Sequence, residues 1–283
     1  MLKFAVIGHP LTQSLSAVMH NAMLKDAGIE GSYELLDTEQ EELVSRVKQL
    51  KSQGYTGFNV TIPLKVPITL FLDEFDHLAD LAGCANTVRI NENLTLSGYN
   101  TDIYGFKTAI PTDVQKNLQR NKVSILGTGG ASRAAAIAFT QIGVCEIDFY
   151  ARNVINAQDM VNFLRNSFSD IKFNLKQMQS LNDLSDCKML VNSTPVGMRG
   201  KAMGISPIDE AILKTLPADA AVYDIVYNPL KTQFIKLAQK NGYKTITGLD
   251  MFVHQGAKAF EIWTGKKARP EVMKMAALEE LAE

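Results

Sequence analysis

The spacing best suited to chemistry is Gly127-Thr128-Gly129-Gly130-Ala131-Ser132, which follows the apolar run Val123-Ser124-Ile125-Leu126 and leads into a helical stretch, residues 133–142, closed by Gly143. Glycines let a backbone turn tightly and approach a pyrophosphate. A helix start adds unpaired N–H groups and the positive end of its dipole. Strand, turn and helix in that order make the context of a dinucleotide site, with Ser132 where a third glycine is usual. The plainer reading is a glycine-rich connection with no ligand. It is disfavoured because glycines so close together are entropically expensive unless backbone exposure is needed. The next strand, near 145–150, ends in Ala151-Arg152-Asn153. No acid stands there to bond a ribose 2′-hydroxyl, and Asp148 lies in mid-strand, pointing the same way as Tyr150. Arg152 is placed to meet a 2′-phosphate, which favours NADP over NAD.

Three polar clusters interrupt apolar segments elsewhere: Ser14-Leu15-Ser16, the run Asn59-Val60-Thr61-Ile62-Pro63-Leu64-Lys65, and Asn100-Thr101-Asp102. Ligands of open α/β sheets gather at the carboxyl ends of strands, and all three clusters fall at such places. Each has a plain reading by itself. Ser16 caps a helix, Lys65 is a surface lysine, and Asp102 caps the helix that follows it.

The elements that must position these residues show as short β-rich runs alternating with helical periodicity, the pattern of an α/β protein with largely parallel sheets. Residues 3–7 read as a buried strand ending at Gly8. Residues 16–27 read as a helix capped by Ser16 and ended by Gly28. A strand at 32–36, a helix at 41–53, a strand at 57–61 stopped by Pro63, and a hairpin of 87–90 with 94–97 follow. The stretch 111–121 is polar and without strong period. It marks a domain boundary nearby, with a helix from about Asp102 carrying the chain across. Further strands fall at 123–126 and near 145–150, 188–192, 221–226 and 244–247. The tail from Leu249 is helical, broken at 264–270, and could pack back on the first domain.

Composition narrows the class. A chain of 283 residues allows one large domain or two modest ones. Hydrophobic residues at 46% and charged residues at 21% are those of a folded globule. A net charge of -1 disfavours a general nucleic-acid binder. No apolar run reaches membrane-span length, and the first apolar run is too short for a signal peptide. Cys84, Cys145 and Cys187 lie far apart, which excludes a CxxC-type site and suits buried thiols in a reducing compartment. The expectation is a soluble cytoplasmic protein with neither nucleic-acid nor membrane partner. His9, His20 and His254 read as structural or rim residues, and their spacing suggests no metal site.

Taken together, the motifs resemble the shikimate dehydrogenase family. The resemblance rests on Gly8-His9-Pro10, Ser14-Leu15-Ser16 and His20-Asn21. It extends through the 59–65 run, Cys84-Ala85-Asn86-Thr87, Asn100-Thr101-Asp102 and residues 127–133. It continues in Asn192-Ser193-Thr194-Pro195-Val196-Gly197-Met198, Tyr223-Asp224, Tyr227-Asn228-Pro229, and Gly248-Leu249 with Gln255. It implies an α/β fold of two domains with the active site in the cleft between them. Residues 1–102 with about 250–283 would form the substrate-binding domain, and residues 103–249 a Rossmann-like NADP-binding domain. The implied reaction is the NADPH-dependent reduction of 3-dehydroshikimate to shikimate, by a monomer or homodimer. Lys65 and Asp102 would be the catalytic pair. A lysine beside the carbonyl can pass a proton if it alternates between charged and neutral forms, and it can steady charge building on oxygen. Ser14 and Ser16 would hold the substrate carboxylate, helped by the helix start. Asn59, Thr61, Asn86 and Gln255 would bind ring hydroxyls and carboxylate, since amides and hydroxyls both donate and accept. Tyr227 would close the substrate side. Gly127, Thr128, Gly129, Gly130, Ala131, Ser132, Arg152, Asn153 and Thr194 would hold the cofactor, with Ile225 and Gly248 near the nicotinamide.

Departures from the family pattern are Gln13 where a histidine usually precedes the first serine, Ala17 where a proline usually follows the second, Tyr99 where an aspartate precedes the Asn-Thr-Asp run, Asn156 where a second basic residue is frequent, and His77 where an acid is frequent. They keep open a paralogue acting on quinate or a related cyclic hydroxy acid, or using NAD. A folate-type dehydrogenase is disfavoured by the serine pair, and a nucleotide sensor without activity by the intact Lys65 and Asp102.

Overall fold

Leu2–Gly8 forms β1, whose residues Phe4, Ala5, Val6 and Ile7 are all buried, as a central strand covered on both faces must be. The computed structural model describes residues 1–11, 14–200 and 202–282; Gln13 lies outside the described residues. After β1 come α1 (Ser16–Asp26), β2 (Gly31–Asp37), α2 (Leu43–Ser52), β3 (Gly57–Val60), β4 (Glu74–Phe75), α3 (His77–Ala82), β5 (Thr87–Ile90), β6 (Leu96–Tyr99) and α4 (Thr101–Ala109). The chain continues through α5 (Thr112–Leu118), β7 (Lys122–Leu126), α6 (Gly130–Ile142), β8 (Glu146–Ala151), α7 (Val154–Ser167), β9 (Lys172–Gln177), β10 (Cys187–Asn192), α8 (Glu210–Leu213), β11 (Ala221–Asp224), α9 (Gln233–Lys240) and β12 (Lys244–Thr247). It ends in α10 (Gly248–Thr264) and α11 (Pro270–Ala282). Two compact units result, Met1–Gly105 with Val253–Glu283, and Phe106–Phe252. The chain passes from one to the other inside α4 and returns inside α10.

The first unit holds a mixed sheet in the order β2-β1-β3-β5-β6-β4. β1 is parallel to β2 and β3, and β5 is antiparallel to β3 and β6. Leu43, Val47 and Leu50 of α2 recur at helical spacing and pack on Ala5, Ile7, Phe58, Val60 and Val88. The C-terminal helices belong to this unit. α11 packs against α1, with Arg269 paired to Asp26 at 2.8 Å, and Trp263 of α10 stacks on Phe4 and donates Nε1–H to the Val88 carbonyl. The second unit is an all-parallel sheet in the order β12-β11-β10-β7-β8-β9, the doubly wound arrangement of a Rossmann-like fold. Among the described residues no helix is long and apolar enough to cross a membrane.

Several local expectations are corrected. Leu15, not Ser16, occupies the N-cap of α1, and Ser16 is the first helical residue. α6 begins at Gly130, three residues before the expected start. Residues 112–118, read as an aperiodic boundary, are helical and belong to the second unit. β6 starts two residues later than expected because Leu94 takes a left-handed φ of 63° inside the turn that Asn91 closes onto Thr95. Cys84 and Cys187 are buried but Cys145 is exposed, since it leaves the Gly143 helix end before β8 enters the sheet.

Gly57 tests the seam between sheet and C-terminal helix. A Cβ there would meet the Trp263 indole and lie 2.7 Å from the Val88 carbonyl oxygen, which as backbone cannot move aside. Gly57→Ala should lower stability by about 1–3 kcal/mol in urea denaturation. An unchanged midpoint would mean that α10 is not held to the sheet by this contact.

Candidate functional site

The chain must turn sharply after β3. The Leu64 amide donates to the Thr61 carbonyl at 2.8 Å, and Leu64 drops into the core, fully buried. That anchor leaves Lys65 at the rim, where the Ala85 N–H fixes its carbonyl at 3.0 Å. The Asn86 N–H donates to Tyr99 at the end of β6, and the Asn86 carbonyl accepts from Val60 at the end of β3. The Asn100 side chain accepts from the Ile103 N–H, capping α4 and setting Thr101 and Asp102 in its first turn. Three chain segments distant in sequence thus converge.

Lys65 Nζ donates to Asp102 Oδ2 at 2.5 Å, with both side chains largely shielded from solvent. Asp102 Oδ1 accepts from Asn86 Nδ2 at 2.9 Å, and Asn86 Oδ1 accepts from the Thr101 N–H at 2.7 Å. Gln255 of α10 brings Oε1 within 3.3 Å of Asn86 Nδ2. Ser14 Oγ donates to Ser16 Oγ at 3.2 Å at the start of α1, and Ser16 contacts the buried Tyr33 hydroxyl. Thr61 follows β3, its N–H donating to the Ile7 carbonyl. Lys65, Asp102, Ser14, Ser16, Asn59, Thr61, Asn86 and Gln255 therefore all belong to the first unit, whereas Tyr227 belongs to the second, stacked on Phe252 at 4.4 Å. Burial pushes the Tyr227 phenol up to about 12.

Asn59 is more committed than its sequence suggests. Its Oδ1 accepts from Tyr33 Oη at 2.7 Å, and its Nδ2 donates to the Asn86 carbonyl at 3.1 Å and to Thr87 Oγ1 at 2.9 Å. Tyr33 is a participant that sequence reasoning missed, and Thr87 and Thr101, which lie inside the motifs singled out there, were given no role. The available signal was a tyrosine within the strand read at 32–36, since a phenol that becomes buried needs a partner. His20 is buried and stacks on Tyr33 at 4.3 Å; burial lowers it to about 3, so it stays neutral. His9 is exposed and pairs with Asp37 at 2.7 Å, and Asp37 also accepts from the Leu11 N–H, which ties down the chain ahead of Ser14.

In the second unit, Gly127 turns at φ 100°, and a Cβ there would crowd Ser193 Oγ and Thr194 Cγ2. Gly129 has nothing within 4 Å of its Cβ position, and Gly129 and Gly130 are exposed. The exposed surface at Gly129 and Gly130, beside the unpaired N–H groups of Gly130 and Ala131 that open α6, fits a pyrophosphate. Thr128 lies within the same turn, partly buried. Ser132 has no exposed surface, and its hydroxyl pairs with Ser193 Oγ at 2.7 Å. Its hydroxyl is therefore enclosed and already paired, and the residue presents no surface to a ligand. Arg152 is exposed just past β8. Asn153 caps α7, accepting from Ile155 and Asn156 N–H. Asp148 is fully buried between Lys122 and Lys176, so no acid competes at the strand end. Thr194, Ile225 and Gly248 gather at the ends of β10, β11 and β12. A Cβ on Gly248 would collide with the Ile225 carbonyl.

Residues 6–88 match the shikimate dehydrogenase substrate binding domain, and residues 248–278 match the shikimate 5'-dehydrogenase C-terminal domain. The NADP(+) shikimate dehydrogenase of Caldanaerobacter subterraneus subsp. tengcongensis is 36% identical, over 93% of this chain and 91% of its own length. A shikimate dehydrogenase crystallised with NADP+ superposes with a TM-score of 0.89 at 34% identity, covering 100% of this chain and 96% of that one. The Thermus thermophilus enzyme with NADP(H) and shikimate gives 0.83 at 36% identity, covering 99% of each chain. The Corynebacterium glutamicum quinate dehydrogenase with NAD gives 0.89 at 27%, covering 98% of this chain and 99% of that one.

Sequence reasoning also passed over the role of Asp224, which ends β11 with no exposed surface. Burial pushes its carboxyl up from 3.8 to about 6, against donors from Thr232, Val226 and Asn192 that pull it back. The folded chain thus holds this proton more tightly than the unfolded chain. The stability contributed is fully present below the unfolded value, near 4, and is lost as the pH rises through about 6, on the order of 3 kcal/mol in all. Asp224→Asn cannot ionise. Its melting temperature relative to wild type should rise steadily between roughly pH 4 and pH 7. A difference independent of pH would show that Asp224 is not held at this value.

Proposed function

The chain belongs to the shikimate dehydrogenase family, and on that premise we propose that it interconverts 3-dehydroshikimate and shikimate with NADP in the cytoplasm. The observation that carries the reading is the Lys65–Asp102 pair, aimed through Asn86 in a unit whose other polar groups suit a hydroxylated carboxylate.

Bound NADPH supplies the hydride that reaches the carbonyl carbon. Lys65 holds a proton on Nζ and gives it to the oxygen as negative charge grows there. Asp102 fixes the direction of Nζ through Oδ2 and can accept from a neighbouring substrate hydroxyl. Ser14, Ser16 and the first N–H groups of α1 receive the carboxylate, so no arginine is required. Thr61, Asn86 and Gln255 meet the remaining polar groups of the ring. Asn59, with its amide engaged by Tyr33, Asn86 and Thr87, serves chiefly to orient those residues. In the second unit, residues 127–131 receive the pyrophosphate and Arg152 the 2′-phosphate. Thr194, Ile225 and Gly248 lie toward the nicotinamide, and Tyr227 is the second unit's residue on the substrate side.

The deciding assay is nucleotide reduction followed by absorbance, with shikimate and quinate each tested against NADP and NAD. Turnover should be fastest with shikimate and NADP. A preference for quinate would move the chain to the paralogue reading, and no turnover with any pair would refute a dehydrogenase. Lys65→Ala should cut kcat by about 10²- to 10⁴-fold while leaving the NADP dissociation constant unchanged. Equal loss of both would make the lysine structural. Arg152→Ala should weaken NADP by roughly 10- to 100-fold and NAD hardly at all. Parallel weakening of the two nucleotides would remove Arg152 from phosphate recognition.

A further inference from the structure

In the second sheet, β8 lies on one side of β7, and β10 then β11 lie on the other. A dinucleotide whose pyrophosphate sits on the turn after β7 and whose adenosine ribose meets the end of β8 must lay its other half over the ends of β10 and β11. Two loops leave the sheet there, residues 193–198 and residues 225–229.

Both loops are tied to one carboxylate. Asp224 Oδ1 accepts from Asn192 Nδ2 at 2.9 Å and from the Val226 N–H at 3.1 Å, and Oδ2 accepts from Thr232 Oγ1. Asn192 relays the constraint into the first loop. Its Nδ2 also donates to the Val196 carbonyl at 3.1 Å, and its Oδ1 accepts from Thr194 N–H and Oγ1 at 3.1 and 2.6 Å. Thr232 Oγ1 accepts from the Ile235 N–H, capping α9, so its own hydrogen is directed at Asp224. Thr232 also closes on the first loop at Gly197, whose φ is 94° and where a Cβ would lie 3.3 Å from Thr232 Cβ. Just past the first loop, the Arg199 N–H donates to the Asn228 carbonyl of the second at 2.8 Å. Among the described residues no cation partners Asp224. A buried carboxylate without a cation is a poor way to gain stability. Its three donors serve geometry.

We propose that Asp224 is a positioning residue that locks the 193–198 and 225–229 loops into one platform for the nicotinamide half of the cofactor. The proposal rests on the reading of the second unit as the nucleotide-binding one. Calorimetry with NADP and with 2′,5′-ADP, which lacks the nicotinamide half, separates the two.

In Asp224→Ala, NADP should bind about 10- to 100-fold more weakly. 2′,5′-ADP should bind as in wild type, and kcat should fall with the KM for shikimate unchanged. Asp224→Asn keeps the acceptor facing Asn192 and Val226 and should recover most of the loss. Thr232→Val removes one donor and should shift NADP alone, in the same direction, which keeps the test decisive if the alanine variant does not fold. Equal weakening of NADP and 2′,5′-ADP, or unaltered NADP binding, would overturn the proposal. A wild-type chain that binds neither nucleotide would overturn the underlying reading as well.

Discussion

Asn86 is a buried amide that has to satisfy three chain segments at once, and the first unit's chemistry depends on how it does so. Its N–H and carbonyl are held by Tyr99 and Val60, its Oδ1 by the Thr101 N–H, and its Nδ2 points at Asp102. A buried polar group left unpaired costs about 1–3 kcal/mol, so the amide has one acceptable orientation. Asp102 inherits that orientation through Oδ1, and Lys65 inherits it through Oδ2. Lys65 is fixed from the other side by Leu64 in the core and by the Ala85 N–H on its own carbonyl. The proton-handling pair is thus aimed by β3, β6 and α4 together.

The second unit repeats the device with different consequences. Asn192 Nδ2 donates to Asp224 Oδ1 at 2.9 Å, the distance separating Asn86 Nδ2 from Asp102 Oδ1. Each asparagine also accepts from a threonine N–H, Thr194 in one case and Thr101 in the other. The difference is the remaining carboxylate oxygen. Asp102 shares its with a lysine at the rim, and Asp224 gives its to the Thr232 hydroxyl in the interior. A carboxylate paired with a cation at the rim can orient that cation toward a substrate. A buried one surrounded only by neutral donors is suited to holding loops still.

The sequence carried the central strands because their apolar runs leave few alternatives, and it carried the glycine turn because its spacing has a mechanical cause. Edge and turn features were less legible. β9 went unread because Lys172, Asn174, Lys176 and Gln177 dilute its alternation; it is a strand because it pairs with β8 and sends Asn174 and Lys176 to the buried Asp148. Ser16 resembled a cap, yet the helix starts on it, one residue sooner than a cap requires. Asn59 was legible as a site residue, but its saturation by Tyr33, Asn86 and Thr87 was not, because those partners lie up to 28 positions away. Long-range hydrogen bonding leaves no periodicity to read.

The departures from the family pattern can be weighed by the same physics. Tyr99 replaces an aspartate, but the contact it makes to the site is through its backbone carbonyl, which accepts from Asn86 at 3.0 Å. A change of side chain leaves that bond in place. Ala17 replaces a proline at the second residue of α1. The N–H that a proline lacks has no intrahelical partner at that position, so the helix loses nothing by its return. It gains one further donor beside Ser14 and Ser16, where a carboxylate would be received. The substitution therefore works with anion binding at this helix start, and neither change touches the bonds that aim Asp102 and Lys65.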